Sequence, residues 1–247
     1  MSKKNKISFF STIDGVEKIM PIIKAEEYSH QWIKQARSTL TEKIHSISHV
    51  LRCPGIRSSL NQGWLIRTWQ DIEIKLEKNG KCSWSTPVDI RTFQSTYNDT
   101  TLVVHGEPDF FNYRLNWPEN TFSKIIKINM PWLVKVPKGY LLYQVHPFYL
   151  DENRFTVLPG CHSPEYGIAR ITVPMFWHSL EGKFLIQAGT PIAQVFLVKQ
   201  EDFDIEMSFV SDNMQIKKYI NVTLLSLRNR FVRNYLKIKE IFKKNDF

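Results

Sequence analysis

Short apolar runs punctuated by proline and glycine fill residues 125–198, and they limit what this chain can fold into more than any other feature of it. The runs are 125–128, 133–136, 140–146, 154–158, 168–173, 183–187 and 192–198. Between them stand Pro137-Lys138-Gly139, Pro159-Gly160, Glu181-Gly182 and Ala188-Gly189. Runs of this length are too short to hold a helix on their own but long enough to cross a sheet. Proline and glycine end strands, because one lacks an amide proton and the other adopts the positive φ of tight turns. Close, even spacing of such runs is the pattern of an all-β sandwich or barrel.

The period of two begins earlier in the chain. Residues 63–69 and 71–77 read as strands, the second with Ile72, Ile74 and Leu76 on one face and charged residues on the other. Asn79-Gly80 predicts a two-residue type I′ hairpin leading into 81–85, since both turn positions need positive φ. The polar stretch 87–120 offers one strand, 101–105. Residues 6–10 read as a short strand. Residues 25–44 read as a helix, with Tyr28, Trp32, Ile33, Ala36 and Leu40 three and four apart, and a loop is expected around Cys53-Pro54-Gly55. Beyond residue 206 the helical period returns through Tyr219, Ile220, Leu224, Leu227, Phe231, Tyr235, Ile238 and Phe242. The expected organisation is therefore an N-terminal strand and helix packed on the core (1–60), a β domain (61–206) and a basic amphipathic C-terminal helix (207–247), making a mainly β chain with peripheral helices, of α+β class.

The net charge of +9 is concentrated at one end: between residues 213 and 247 nine basic residues stand against two acidic ones. Charge of this kind attracts phosphate or an acidic surface. Nucleic acid is thus a possible partner of the C-terminal helix, with Arg228, Arg230 and Arg233 as its phosphate-contacting candidates. The apolar stripe on the same helix favours packing or self-association. Cys53, Cys82 and Cys161 are widely spaced and form no C-x-x-C pair, which speaks against a disulfide framework and for a reducing compartment. No apolar run reaches membrane-spanning length, and residues 1–10 do not read as a signal peptide, so no membrane partner is expected.

Gly63-Trp64-Leu65-Ile66, Met130-Pro131-Trp132-Leu133-Val134-Lys135-Val136-Pro137-Lys138-Gly139-Tyr140, Leu158-Pro159-Gly160 and Gly189-Thr190-Pro191-Ile192-Ala193-Gln194-Val195 together resemble an uncharacterised family of phage and bacterial proteins. The resemblance covers about residues 9–204 and implies a phage-encoded accessory or virion-associated protein, found in the host cytoplasm or the virion, with a phage or host protein as its partner. A more distant resemblance joins the second half to the trimeric dUTPase and dCTP deaminase superfamily. Gly160-Cys161-His162-Ser163-Pro164-Glu165-Tyr166-Gly167 falls at that superfamily's Gly-Val-Ile-Asp-x-x-Tyr-x-Gly turn, and Gly189 to Val195 falls at its Gly-x-x-Ile-Ala-Gln-Leu strand. This implies a dUTPase-like β-clip or jelly-roll-type barrel, a homo-oligomer, and a ligand pocket involving Glu165, Tyr166 and Gln194. Ser163 stands where the water-activating aspartate would be, and a hydroxyl is no base at neutral pH. The phosphate-binding Arg-Ser-Gly motif and the glycine-rich C-terminal arm are also missing from the sequence. The expected function is binding without dUTP hydrolysis, and no cofactor is implied.

His146, His162 and His178, with Asp151 and Glu165, form the one group of residues in the β region whose chemistry suits a metal or proton transfer. Two histidines and a carboxylate can hold non-haem iron, which makes an iron site of His146, His162 and Glu165, or a nucleotide-acting enzyme, the alternative reading. No H-x-D or H-x-H pair supports the iron site. Trp64, Trp69, Trp84, Trp132 and Trp177 fall in strand candidates and read as core, whereas Trp117 and Phe110-Phe111 read as exposed.

Overall fold

The computed structural model describes residues 6–42, 53–88, 101–105, 119–163, 167–205, 207, 214, 215 and 218. Contacts divide the chain into two units, Met1–Gln200 and Glu201–Phe247. In the second unit Met214, Gln215 and Lys218 are helical. The long C-terminal helix expected from the apolar stripe otherwise lies outside the described residues, as do Arg228, Arg230 and Arg233.

The strands of the first unit are β1 (Ser8–Ser11), β2 (Ile23–Lys24), β3 (Trp64–Arg67), β4 (Ile72–Leu76), β5 (Cys82–Ser85), β6 (Leu102–His105), β7 (Ile125–Lys135), β8 (Tyr140–Val145), β9 (Phe155–Val157), β10 (Gly160–His162), β11 (Ile168–Trp177), β12 (Gly182–Ile186) and β13 (Pro191–Lys199). Helices α1 (Val16–Ile19), α2 (Gln31–Glu42) and α3 (Pro54–Asn61) and a 3₁₀ turn at Ala25–Glu27 complete it. Among the described residues the strand pairs are antiparallel, and they form three sheets. The first runs β1-β7-β11-β9, with β6 also on β7; the second runs β10-β8-β13-β3-β2; the third runs β12-β4-β5. The mainly β class and the peripheral helices are as the sequence predicts. The barrel is not: among the described residues each sheet is open, because its end strands pair on one side only.

Strand β7 is longer than expected, since 125–128 and 133–136 are one strand running through Met130-Pro131. A proline in a central strand ought to break the ladder. Here the register against β11 slips, so that Asn129 faces Thr172 while Leu133 faces Arg170, and Pro131 sits in the bulge where no ladder N–H is needed. Strands β1 and β6 share the other side of β7, on residues 132–135 and 125–128 respectively. The first two sheets are joined through the core, where the Gln144 side-chain amide donates to the Thr172 carbonyl at 3.0 Å. Ile126, Ile128, Leu142, Ile171, Val173, Val195 and Trp177 are buried in this core. Of the tryptophans read as core, Trp132 and Trp177 are buried and Trp64 and Trp69 are partly buried against the core, but Trp84 on the edge strand β5 is 38% exposed.

Three local expectations are corrected. The β4–β5 hairpin has a three-residue loop: Glu77 and Lys81 pair through a 2.9 Å bond, and only Gly80 has positive φ, at 79°. This is a turn followed by one left-handed residue, not a type I′ turn, and the Asn79 side chain serves it by accepting from the Lys81 amide. The helix predicted from residue 25 is broken. Ala25–Glu27 forms a 3₁₀ turn, Tyr28 is extended, and α2 begins at Gln31. Finally, the loop expected at Cys53-Pro54-Gly55 is the start of α3, with proline in its first turn, where the missing N–H costs nothing.

Candidate functional site

The last two corrections create a site. Because Ala25–Glu27 is tied to the sheet by the Ala25 amide on the Gly63 carbonyl (2.9 Å), and α3 packs beside that turn, the two enclose a cleft of about 520 Å³. Tyr28, His30, Lys34, Arg57, Leu60 and Asn61 are among its lining. Leu60 and His30 are buried, while Lys34 and Arg57 are exposed and, among the described residues, join no ion pair. The Glu26 carboxylate at the rim is taken by Lys24 at 3.3 Å.

Gln194 holds both walls. Its amide nitrogen donates to the carbonyls of Ser59 (2.9 Å) and Gln62 (2.6 Å), pinning the end of α3, and its oxygen accepts from the Phe148 amide (3.0 Å). The next residue, Tyr149, has the strained φ of 55°. Its carbonyl accepts from the Trp32 indole at 2.8 Å, which fixes the opposite wall. Tyr28, His30 and Trp32 stack against one another in sequence, the first pair edge-on with centroids 4.9 Å apart, and Trp32 continues to Tyr149. One buried side chain of β13 thus reaches α3 directly and the 28–32 segment through a single turn. Burial raises the Tyr28 hydroxyl pKa, with the Arg67 guanidinium pulling the other way, so the cleft holds a neutral phenol.

The residues picked out by sequence are placed as follows. Gln194, one of the three pocket candidates, is 2% exposed and positions the cleft walls through main-chain bonds. Glu165 and Tyr166 lie outside the described residues. The iron set is not brought together: His162 pairs with Leu142 on β8, and His146 lies four residues further along that chain, roughly 13 Å away at about 3.4 Å per residue. Ligands of one metal must lie within a few ångströms of one another. Among the described residues no group of three or more His, Cys, Asp or Glu side chains could hold a metal. His146 instead accepts from the Val157 amide and packs edge-on to Phe155. Burial pushes the Glu152 carboxyl up, but its bonds to Arg154 outweigh this and hold it below the usual range.

Burial lowers the pKa of His30, His146 and His162, with Glu152 partly countering this for His146 and the Tyr149 carbonyl for His30. A histidine whose folded pKa lies below the unfolded value of about 6.5 contributes stability that is complete above that pH and is lost as pH falls through the folded value. The urea midpoint should therefore drop between pH 7.5 and pH 5, before the carboxylates titrate. The drop should be smaller in His30→Gln and in His146→Gln. A flat midpoint over this range would contradict the burial of these rings.

No family model matches the chain, and no curated protein matches it.

Proposed function

We propose that this protein acts by binding an anionic small molecule in the cleft between the Ala25–Glu27 turn and α3, and not by turnover. The observation that carries the reading is the construction of the cleft. Its two walls share an anchor in Gln194, so the space exists before any ligand arrives and little ordering is needed on binding. The volume lies within the range of small-molecule sites. Its lining sets Leu60 and Tyr28 beside two cations, Arg57 and Lys34, and two carboxylates, Glu27 and Glu26, the second paired with Lys24 at the rim; the anion is proposed to meet the Arg57 and Lys34 side. A phosphate or carboxylate on a part-apolar body complements that lining.

The wider setting we propose is a phage-encoded accessory or virion-associated protein that works as a homo-oligomer on a dUTPase-like β architecture. For the architectural part of that reading, the support is two antiparallel sheets joined through a core and the Gly189 to Val195 station, most of which lies in β13 beside β8. The Gly160–His162 strand at the position of the superfamily's turn motif supports it as well.

Thermal-shift and calorimetric titrations against inorganic phosphate, nucleoside mono-, di- and triphosphates including dUTP, and small dicarboxylates test the proposal. A member present at a hundred times its Kd should stabilise the protein by about 2.7 kcal/mol. Arg57→Ala should weaken that member at least about tenfold, equivalent to about 1.4 kcal/mol, and dUTP should remain unhydrolysed. A ligand bound equally well by Arg57→Ala and Tyr28→Ala sits elsewhere, and a panel without a single shift contradicts the small-anion reading.

A further inference from the structure

The far end of the first sheet carries a second arrangement that the cleft does not use. Thr156 of β9 pairs with Phe176 of β11, and His178 stands two residues beyond Phe176. The two side chains are therefore diagonal neighbours on one face of the sheet. The main-chain bond from the His178 amide to the Arg154 carbonyl (2.8 Å) continues the pairing and holds them there. The Thr156 hydroxyl lies 2.7 Å from His178 Nε2, and the Thr121 hydroxyl lies 3.2 Å from Nδ1. Thr121 is buried, and its other contact, at 3.4 Å, is the Glu119 carbonyl, which can only accept. In the histidine tautomer with its proton on Nδ1, that proton is given to Thr121 and Nε2 is the bare nitrogen that accepts from Thr156. Thr156 and His178 are both exposed, and the neighbouring charges of Glu152 and Arg154 are spent on each other through bonds of 2.9 and 3.1 Å.

We propose that Thr156 is a nucleophile activated by His178, with Thr121 as the positioning residue, and that this corner of the molecule is open to activated acyl esters. In the step, Thr156 Oγ1 forms a bond to the acyl carbon as its proton passes to His178 Nε2. The ester C–O bond breaks, and the proton leaves with the alcohol or phenol, so that a threonyl ester remains. A hydroxyl is inert at its own pKa, and an aligned base within hydrogen-bond reach makes it reactive.

The test is treatment of the full chain with p-nitrophenyl acetate, following nitrophenolate release and mapping the acetyl group by peptide mass spectrometry. Acetate should be found on Thr156. Thr156→Ser should retain the label and the nearly isosteric Thr156→Val should lose it. His178→Gln should slow labelling at that site about a hundredfold, the ordinary contribution of a general base, with thermal melts confirming that each variant is folded. Thr121→Val should slow labelling and Thr121→Ser should restore it, which a purely structural hydroxyl would not do. Acetyl groups confined to lysines and other residues, or labelling of Thr156 at an unchanged rate in folded His178→Gln, would overturn the proposal.

Discussion

Replacing Gln194 with leucine should lower the stability of the folded chain by about 2–4 kcal/mol, one of the two largest single-residue losses expected here. The substitution keeps the apolar volume on β13 but removes the partner of the Phe148 amide and of the Gln62 carbonyl, and leaves the Ser59 carbonyl with only the Gln62 amide at 3.4 Å. An orphaned group costs about 1–3 kcal/mol when buried, and rehydration at the exposed Gln62 returns some of it. Gln194→Glu should be nearly as harmful, because a carboxylate still accepts from Phe148 but cannot donate to the two carbonyls of α3 and is buried besides. Urea denaturation measures the loss. A change below about 1 kcal/mol for Gln194→Leu would mean that the three bonds do not hold the walls.

Gly63→Ala should cost about 3 kcal/mol or more. Gly63 has φ of 72°, and a methyl group there would meet the Val195 carbonyl oxygen at 2.0 Å. The obstacle is main chain of the strand that pairs with β3, not the end of a mobile side chain, so the clash can be relieved only by separating β3 from β13. Gly139 provides the control. Its φ is 81°, but an added Cβ finds no atom within 4 Å, so Gly139→Ala should show the conformational penalty alone, about 1–2 kcal/mol. Equal losses at the two glycines would show that close approach plays no part at Gly63. Since the Gly63 carbonyl also holds the Ala25 amide, the damage should extend to the cleft.

The strands were legible because their signal is local. Alternation in β4, the Pro137-Lys138-Gly139 turn before β8 and the Ala188-Gly189 turn before β13 are each set by a few adjacent residues, and each is found where the sequence puts it. The cleft was not legible, and for the opposite reason. The helical spacing from Tyr28 to Leu40 hides the break at residues 28–30, which the bond from Ala25 to Gly63 imposes from outside the segment. The start of α3 could have been found from Pro54 as a helix-opening proline with Ile56 and Leu60 one turn apart, but Pro-Gly reads first as a turn. Gln194 was picked out by a resemblance that made it a pocket residue. Its partners Ser59, Gln62 and Phe148 are 135, 132 and 46 residues away in sequence, and no periodicity carries information over such distances. Within β7, Pro131 gave a false boundary, because a bulge tolerates a proline that a regular ladder would reject.

That a single amide holds both walls of the cleft is tested most directly by amide hydrogen exchange on Gln194→Met, a variant that fills the same space without the donors. Exchange should rise together in residues 25–34, in 54–62 and in the 147–150 turn, while the β7–β11 pair at the centre of the first sheet keeps its protection. Faster exchange in α3 alone, with residues 28–32 and the Tyr149 turn as protected as in the parent chain, would contradict the account.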